Sequence, residues 1–131
     1  MIVIDSSYAL ALVMPDERRP ASMAATVKGR LVAPSVWPLE VANALRNGVR
    51  RGRLRDNQVP ALCADLGEFA IEIVAPTHVL ALRHFEAAAA HDLTPYDASY
   101  LELALLRRCA LATLDQDLAR AAERAGLAVH L

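Results

Sequence analysis

Ile2-Val3-Ile4-Asp5-Ser6-Ser7 decides the fold, because a short apolar, β-branched run that breaks into an acid and two hydroxyls reads as a buried strand handing over to a helix. Outward from it the same alternation recurs. Leu31-Val32-Ala33, Ala70 to Ala75, Ala110-Leu111-Ala112-Thr113 and Leu127-Ala128-Val129 read as further strands. Between them lie helical stretches: Ser7 to about Met14, Asp16 to Val27 with Gly29 as its stop, and a helix opened by Ser35. In that helix Leu39, Ala42, Leu45 and Val49 recur at helical spacing. Asn57 to Leu66 is closed by Gly67, Thr77 caps a helix reaching about His91, and Asp117 to Ala125 ends at Gly126. Thr94 and Pro95 open one more, as N-cap and first helical residue. Continuous apolar strands separated by helices specify a mainly parallel sheet of about five strands, covered on both faces. The expectation is a three-layer α/β/α fold in one domain, residues 1–131.

Composition agrees with a doubly covered sheet. At 131 residues and 55% hydrophobic, the chain can bury roughly two-thirds of the surface it exposes unfolded, and disorder is excluded. A net charge of −1 excludes a generally basic nucleic-acid binder, so any such contact needs a local patch. Arg46, Arg50, Arg51, Arg53 and Arg55 form one, although cations also complement the C-terminal end of a helix. Cys63 and Cys109 stand singly among apolar residues and are expected to be buried free thiols. The opening Met1-Ile2-Val3-Ile4-Asp5 is interrupted too soon for a signal peptide, and no apolar run reaches membrane-spanning length. A soluble, cytoplasmic protein is expected.

In an open parallel sheet, ligands bind beyond the carboxyl ends of the strands. Asp5 follows the first strand and Asp115 and Asp117 follow the fourth, while Glu40 and Asp97 fall in the first turns of two helices. Four separate segments can thus deliver carboxylates to one end of the sheet. Each Asp also has a helix-capping explanation: Asp97 completes a reciprocal pattern with Thr94, and Asp5, Asp115 and Asp117 suit helix N-termini. Glu40, beside Leu39 and Val41, is the acid hardest to explain structurally.

Gathered together, such acids need a cation. Two carboxylates ~4 Å apart at an effective dielectric of ~20 repel by roughly 4 kcal/mol, enough to raise a pKa by about three units. With oxygen ligands only, the cation should be hard, Mg²⁺ or Mn²⁺, and the chemistry phosphodiester hydrolysis. No Ser/His/Asp or Cys/His arrangement competes; His78, His84, His91 and His130 read as structural or solvent-facing. A phosphoacceptor receiver domain would need a lysine late in the chain, and Lys28 is the only one. The scattered glycines form no phosphate loop. A binding module, with acids as caps and arginines as a docking surface, remains the alternative.

Four motifs in order resemble one family over essentially the whole chain. Ile2-Val3-Ile4-Asp5-Ser6-Ser7, Pro34-Ser35 with Leu39-Glu40-Val41-Ala42-Asn43-Ala44-Leu45, Leu93-Thr94-Pro95-Tyr96-Asp97-Ala98-Ser99-Tyr100, and Ala112-Thr113-Leu114-Asp115-Gln116-Asp117-Leu118 are similar to those of PIN domains, in particular VapC-type toxins of toxin–antitoxin pairs. The resemblance implies a PIN-like fold and a Mg²⁺- or Mn²⁺-dependent endoribonuclease that arrests translation. It also implies a VapB-type antitoxin and a homodimer. Asp5, Glu40, Asp97 and Asp115 carry over as the catalytic, metal-binding set, and Asp117 as an additional metal ligand. Ser7 and Thr113 would orient the acids or the water. Arg46 and Arg50 would help hold RNA backbone. A non-catalytic RNA- or protein-binding PIN-like module is the alternative within that family.

Overall fold

The computed structural model describes all 131 residues. The elements run β1 (Ile2–Ile4), α1 (Ser6–Val13), α2 (Met23–Thr26), β2 (Leu31–Pro34), α3 (Trp37–Arg50), a 3₁₀ turn (Asp56–Gln58), α4 (Val59–Gly67), β3 (Glu72–Val74), α5 (Ala81–His91), α6 (Pro95–Arg107), β4 (Ala110–Ala112), α7 (Gln116–Arg124) and β5 (Val129–His130). The five strands form one sheet in the order β3-β2-β1-β4-β5, and every pairing is parallel. The expected three-layer α/β/α architecture is therefore what forms, with no antiparallel strand.

The alternation of side chains along the strands separates two cores. Ile2, Ile4, Leu31 and Ala33 point to one face, where they pack with Tyr8, Leu12, Val41, Leu45 and Leu62 from α1, α3 and α4. Val3, Val32 and Leu111 point to the other, against Tyr100, Leu101, Ala104, Leu118 and Ala122 from α6 and α7. Central β1 is buried at every position, which explains its unbroken apolar run.

Several expectations need correction. The segment from Asp16 to Val27 is mostly not helical; only Met23–Thr26 winds. Pro15 and Pro20 interrupt it, and the Arg19 guanidinium donates to the carbonyls of Ala11, Met14 and Glu17, holding an irregular loop. Thr77 does not cap α5, which starts at Ala81 after Leu80. The intervening His78 is tied to Glu102 on α6 at 2.7 Å, which keeps the preceding residues out of the helix. The last strand is Val129–His130 rather than 127–129, and its His130 Nδ1 bonds Thr26 Oγ1 at 2.7 Å. Cys63 is exposed and Cys109 only half-buried. On α4 the buried positions are Leu62 and Leu66, so Cys63, one step around the helix, points outward. No helix is long and apolar enough to cross a membrane.

Candidate active site

The strand order places the topological switch point between β1 and β4, since β2 and β3 extend the sheet on one side of β1 and β4 and β5 on the other. Loops diverge at such a point and leave a crevice beyond the carboxyl ends. Asp5 leaves β1 there, and Thr113 to Asp115 leave β4. Connecting helices run back against the strands, so the N-termini of α3 and α6, carrying Glu40 and Asp97, reach the same edge.

Asp5 is buried, at 4% exposure. It caps α1: Oδ1 accepts the Tyr8 N–H and the Ser7 hydroxyl, each at 2.8 Å, while Oδ2 accepts the Thr113 hydroxyl at 2.5 Å. Burial pushes its pKa from 3.8 up to about 6; the three hydrogen bonds oppose the rise and the charge of Asp115 adds to it. The two hydroxyls also stitch the crevice walls together. Thr113 Oγ1 accepts the Asp115 N–H at 3.0 Å, and Ser7 Oγ accepts the Leu114 N–H at 3.1 Å. Both hydroxyls thus hold the Asp5 carboxylate in place.

Asp115 is the N-cap of α7, with Oδ1 accepting the Leu118 N–H at 2.9 Å. Capping therefore occupies only one of its oxygens. Asp97 is the third residue of α6, and its N–H donates to Thr94 Oγ1 at 3.1 Å. Only this forward half of the capping box forms, so the Asp97 carboxylate is not committed to the Thr94 backbone. Its pKa is raised by burial first, then by the charges of Asp115 and Glu40, with Asp117 adding less and the Thr94 hydroxyl opposing. Glu40 Oε1 accepts the Tyr100 hydroxyl at 2.5 Å. Tyr100 is 1% exposed, and burial together with this carboxylate holds its phenol well above the ordinary range.

Asp5, Glu40, Asp97 and Asp115 share another property: none is paired with a basic side chain. The ion pairs of the molecule are Arg30–Glu72, Arg53–Asp16, His78–Glu102 and Arg120–Asp117. Asp117 thus stands apart, exposed and matched to an arginine on its own helix. Asp115 acts electrostatically on Asp5, and Asp115 and Glu40 on Asp97, yet no three His, Cys, Asp or Glu side chains lie close enough to form a ready-made ligand set. Arg46 and Arg50 are exposed on α3, about 9 and 15 Å along the helix axis from Glu40, and the structure does not bring them to the acids.

Sequence reasoning assigned no role to Tyr100. The available signal was its place three residues after Asp97, on the same side of a helix. A cleft of about 480 Å³ also escaped it, lying on the adjoining side of α6 and not over the acids, with His78, His84, Phe85, Tyr96, Ser99 and Glu102 in its walls.

Residues 2–124 match the model of the PIN domain. The chain is 34% identical over 120 residues to Ribonuclease VapC3 of Pyrobaculum aerophilum, covering 90% of this chain and 92% of that protein. It is 35% identical over 115 residues to Ribonuclease VapC9 of Mycobacterium tuberculosis, covering 88% and 86%. Among solved structures, that of PAE2754 from Pyrobaculum aerophilum superposes with a TM-score of 0.73 at 22% identity, over 98% of this chain and 82% of the other, a likeness of fold. The chain belongs to the PIN-domain family and, within it, to the VapC group.

Proposed function

We propose that this protein is a divalent-metal-dependent endoribonuclease, hydrolysing phosphodiester bonds of cellular RNA at the crevice between β1 and β4. One observation carries the reading: Asp5 is buried without a basic partner, and carboxylates from three other segments act on it or on one another, Asp115 on Asp5 and both Asp115 and Glu40 on Asp97. Asp5 is the most telling of them, a carboxylate at 4% exposure held by three hydrogen bonds and no cation. The relatives named ribonucleases support the same activity.

The donor set fits Mg²⁺ or Mn²⁺ in type and charge, being entirely carboxylate oxygen. Asp5, Glu40, Asp97 and Asp115 would hold the ion, with Asp117 the least committed candidate because of Arg120. When bound, it supplies charge neutralisation and an acidified water. The chain's own part begins with Ser7 and Thr113, whose hydroxyls donate to Oδ1 and Oδ2 of Asp5 and so fix its carboxylate. Tyr100 fixes Glu40 in the same way. Asp97, with no basic partner and no bond to the Thr94 backbone, would be free to share in holding the ion or in orienting the water.

The biological role proposed with this chemistry is that of a cytoplasmic toxin, silencing translation through RNA cleavage and neutralised by a VapB-type antitoxin. Exposed apolar side chains such as Leu39, Val79 and Leu82 suit a protein covered by partners, a second copy included. Arg46 and Arg50 are free to meet RNA backbone only if the strand extends along α3 from the acids.

Purified protein incubated with structured RNA tests the core of the reading, with and without Mg²⁺ or Mn²⁺, beside Asp5→Asn and Asp97→Asn. Cleavage that requires the metal and disappears in both variants is expected. Cleavage without metal, or full activity in both variants, would reject the site. RNA binding without any cleavage would favour the alternative, a non-catalytic module in which Asp5 and Asp115 serve as caps.

A further inference from the structure

Helix α6 presents two polar sides. Asp97 and Tyr100 belong with the acids, whereas Ser99 and Glu102 line the neighbouring cleft between α6, α5 and residues 76–78. The two regions share a rim. Ser35 and Val36 line the cleft just before the turn that carries Glu40, and Tyr96 and Ala98 line it on either side of Asp97 in the sequence. A volume of about 480 Å³ is ample for a flat ring system.

The histidine and Ser99 protons in this cleft are already assigned. An ionised carboxylate only accepts, so His78 Nε2–H donates to Glu102 Oε2, at 2.7 Å. His84 Nε2–H donates to the His78 carbonyl at 3.0 Å, and the Ser99 hydroxyl donates to the Tyr96 carbonyl at 2.6 Å. What remains is the acceptor capacity of Glu102 Oε1, without a partner in the protein, and of the Ser99 Oγ lone pairs, beside the unpartnered hydroxyls of Ser35, Thr77 and Tyr96. Two exposed rings flank them, Phe85 at 68% and Tyr96 at 60% exposure. A phosphate would meet the charge of Glu102, but an uncharged planar ring edged with N–H donors would be bonded and stacked. Single-stranded RNA offers such rings, since its unstacked bases are read by aromatic stacking and by hydrogen bonds to their edges.

We infer that this cleft is a subsite for one base of the RNA strand and that it prefers guanine, whose N1–H and N2–H₂ present adjacent donors to the Glu102 carboxylate. The inference takes its substrate from the nuclease reading. It adds a base preference located on the side of α6 adjoining the acids.

The test titrates guanosine, inosine and uridine 5′-monophosphates, with inorganic phosphate as control, into ¹⁵N-labelled full chain followed by NMR. Guanosine monophosphate is expected to move the amides of Phe85, Tyr96 and Ser99. Inosine monophosphate, lacking the N2 amino group, should bind about 10-fold more weakly, and uridine monophosphate more weakly still. Glu102→Gln should erase most of that preference, and Phe85→Ala, at an exposed position, should weaken all three nucleotides without unfolding the chain. Equal affinities, or the same response to phosphate alone, would overturn the subsite. So would Phe85 and Leu82 signals that follow protein concentration and ignore nucleotide, because a second copy would then cover this face. Cleavage of RNA with no base binding here sinks the subsite and spares the nuclease; base binding with no cleavage does the reverse.

Discussion

The Tyr100 hydroxyl donates to Glu40 Oε1 at 2.5 Å and so joins α6 to α3 across the carboxyl edge of the sheet. Glu40 sits in the first turn of α3, where a long side chain has several rotamers to choose from. The bond selects one of them and ties the Glu40 carboxylate to the helix that carries Asp97. Tyr100→Phe removes the hydroxyl and keeps the ring that packs with Leu101 and Leu111. The expected cost is about 1 kcal/mol of stability, against a loss of activity of about 10- to 100-fold. Denaturation and RNA cleavage measured on the same preparation separate the two; unchanged cleavage would mean that Glu40 needs no fixing.

The positions of the acids were legible in the sequence, but their partners were not. Asp5 and Asp115 announce themselves by following apolar runs, and Thr94-Pro95 marks the start of α6 in the chain itself. Such signals are local. The Tyr100–Glu40 bond spans 60 residues and the Thr113–Asp5 bond 108, and no spacing rule reaches so far. The same limit explains the failures in the fold. The stretch from Asp16 has helix-like periodicity, yet Arg19 spends its guanidinium on three carbonyls of the irregular loop, and Asp16 is drawn to the distant Arg53. Thr77 looks like a cap only while the link from His78 to Glu102 is unknown.

Asp117 should prove dispensable beside its neighbour. Its side chain is 76% exposed and its partner, Arg120, lies one turn along the same helix. An exposed pair of this kind contributes little. Asp117→Asn is expected to change stability by no more than about 0.5 kcal/mol and to leave most of the RNA cleavage intact. Asp115→Asn keeps a capping side chain but removes a charge that acts on both Asp5 and Asp97, and should lose most of it. Equal losses in the two variants would place Asp117 among the ion-holding residues.

Divalent metal should stabilise the folded chain, because the acids that repel one another are gathered only when it is folded. At Mg²⁺ or Mn²⁺ concentrations ~100 times the dissociation constant, the gain is about 2.7 kcal/mol. Urea denaturation with EDTA and with added Mn²⁺ measures it. Asp97→Asn should lose most of the gain while folding normally without metal, and a wild-type curve indifferent to Mn²⁺ would argue against any ion at these residues.

Asp5 gives the stability of the metal-free protein a definite pH dependence. Its carboxyl titrates at about 6 in the folded chain against 3.8 as an ordinary aspartate, so between those values the folded state holds the extra proton. Stability from this group is complete below about pH 4, falls as pH rises through the window, and is gone above about pH 6. The shift corresponds to roughly 3 kcal/mol, the cost of keeping a buried carboxylate charged at neutral pH. Asparagine has the same shape and still caps α1 through its carbonyl oxygen. Asp5→Asn should therefore be the more stable protein at about pH 7.5 in EDTA, by up to about 3 kcal/mol, and the two should converge near pH 4. The variant should also cleave no RNA, so stability and activity would move in opposite directions. A variant less stable than wild type at neutral pH would show instead that the three hydrogen bonds to Asp5 outweigh the burial of its charge.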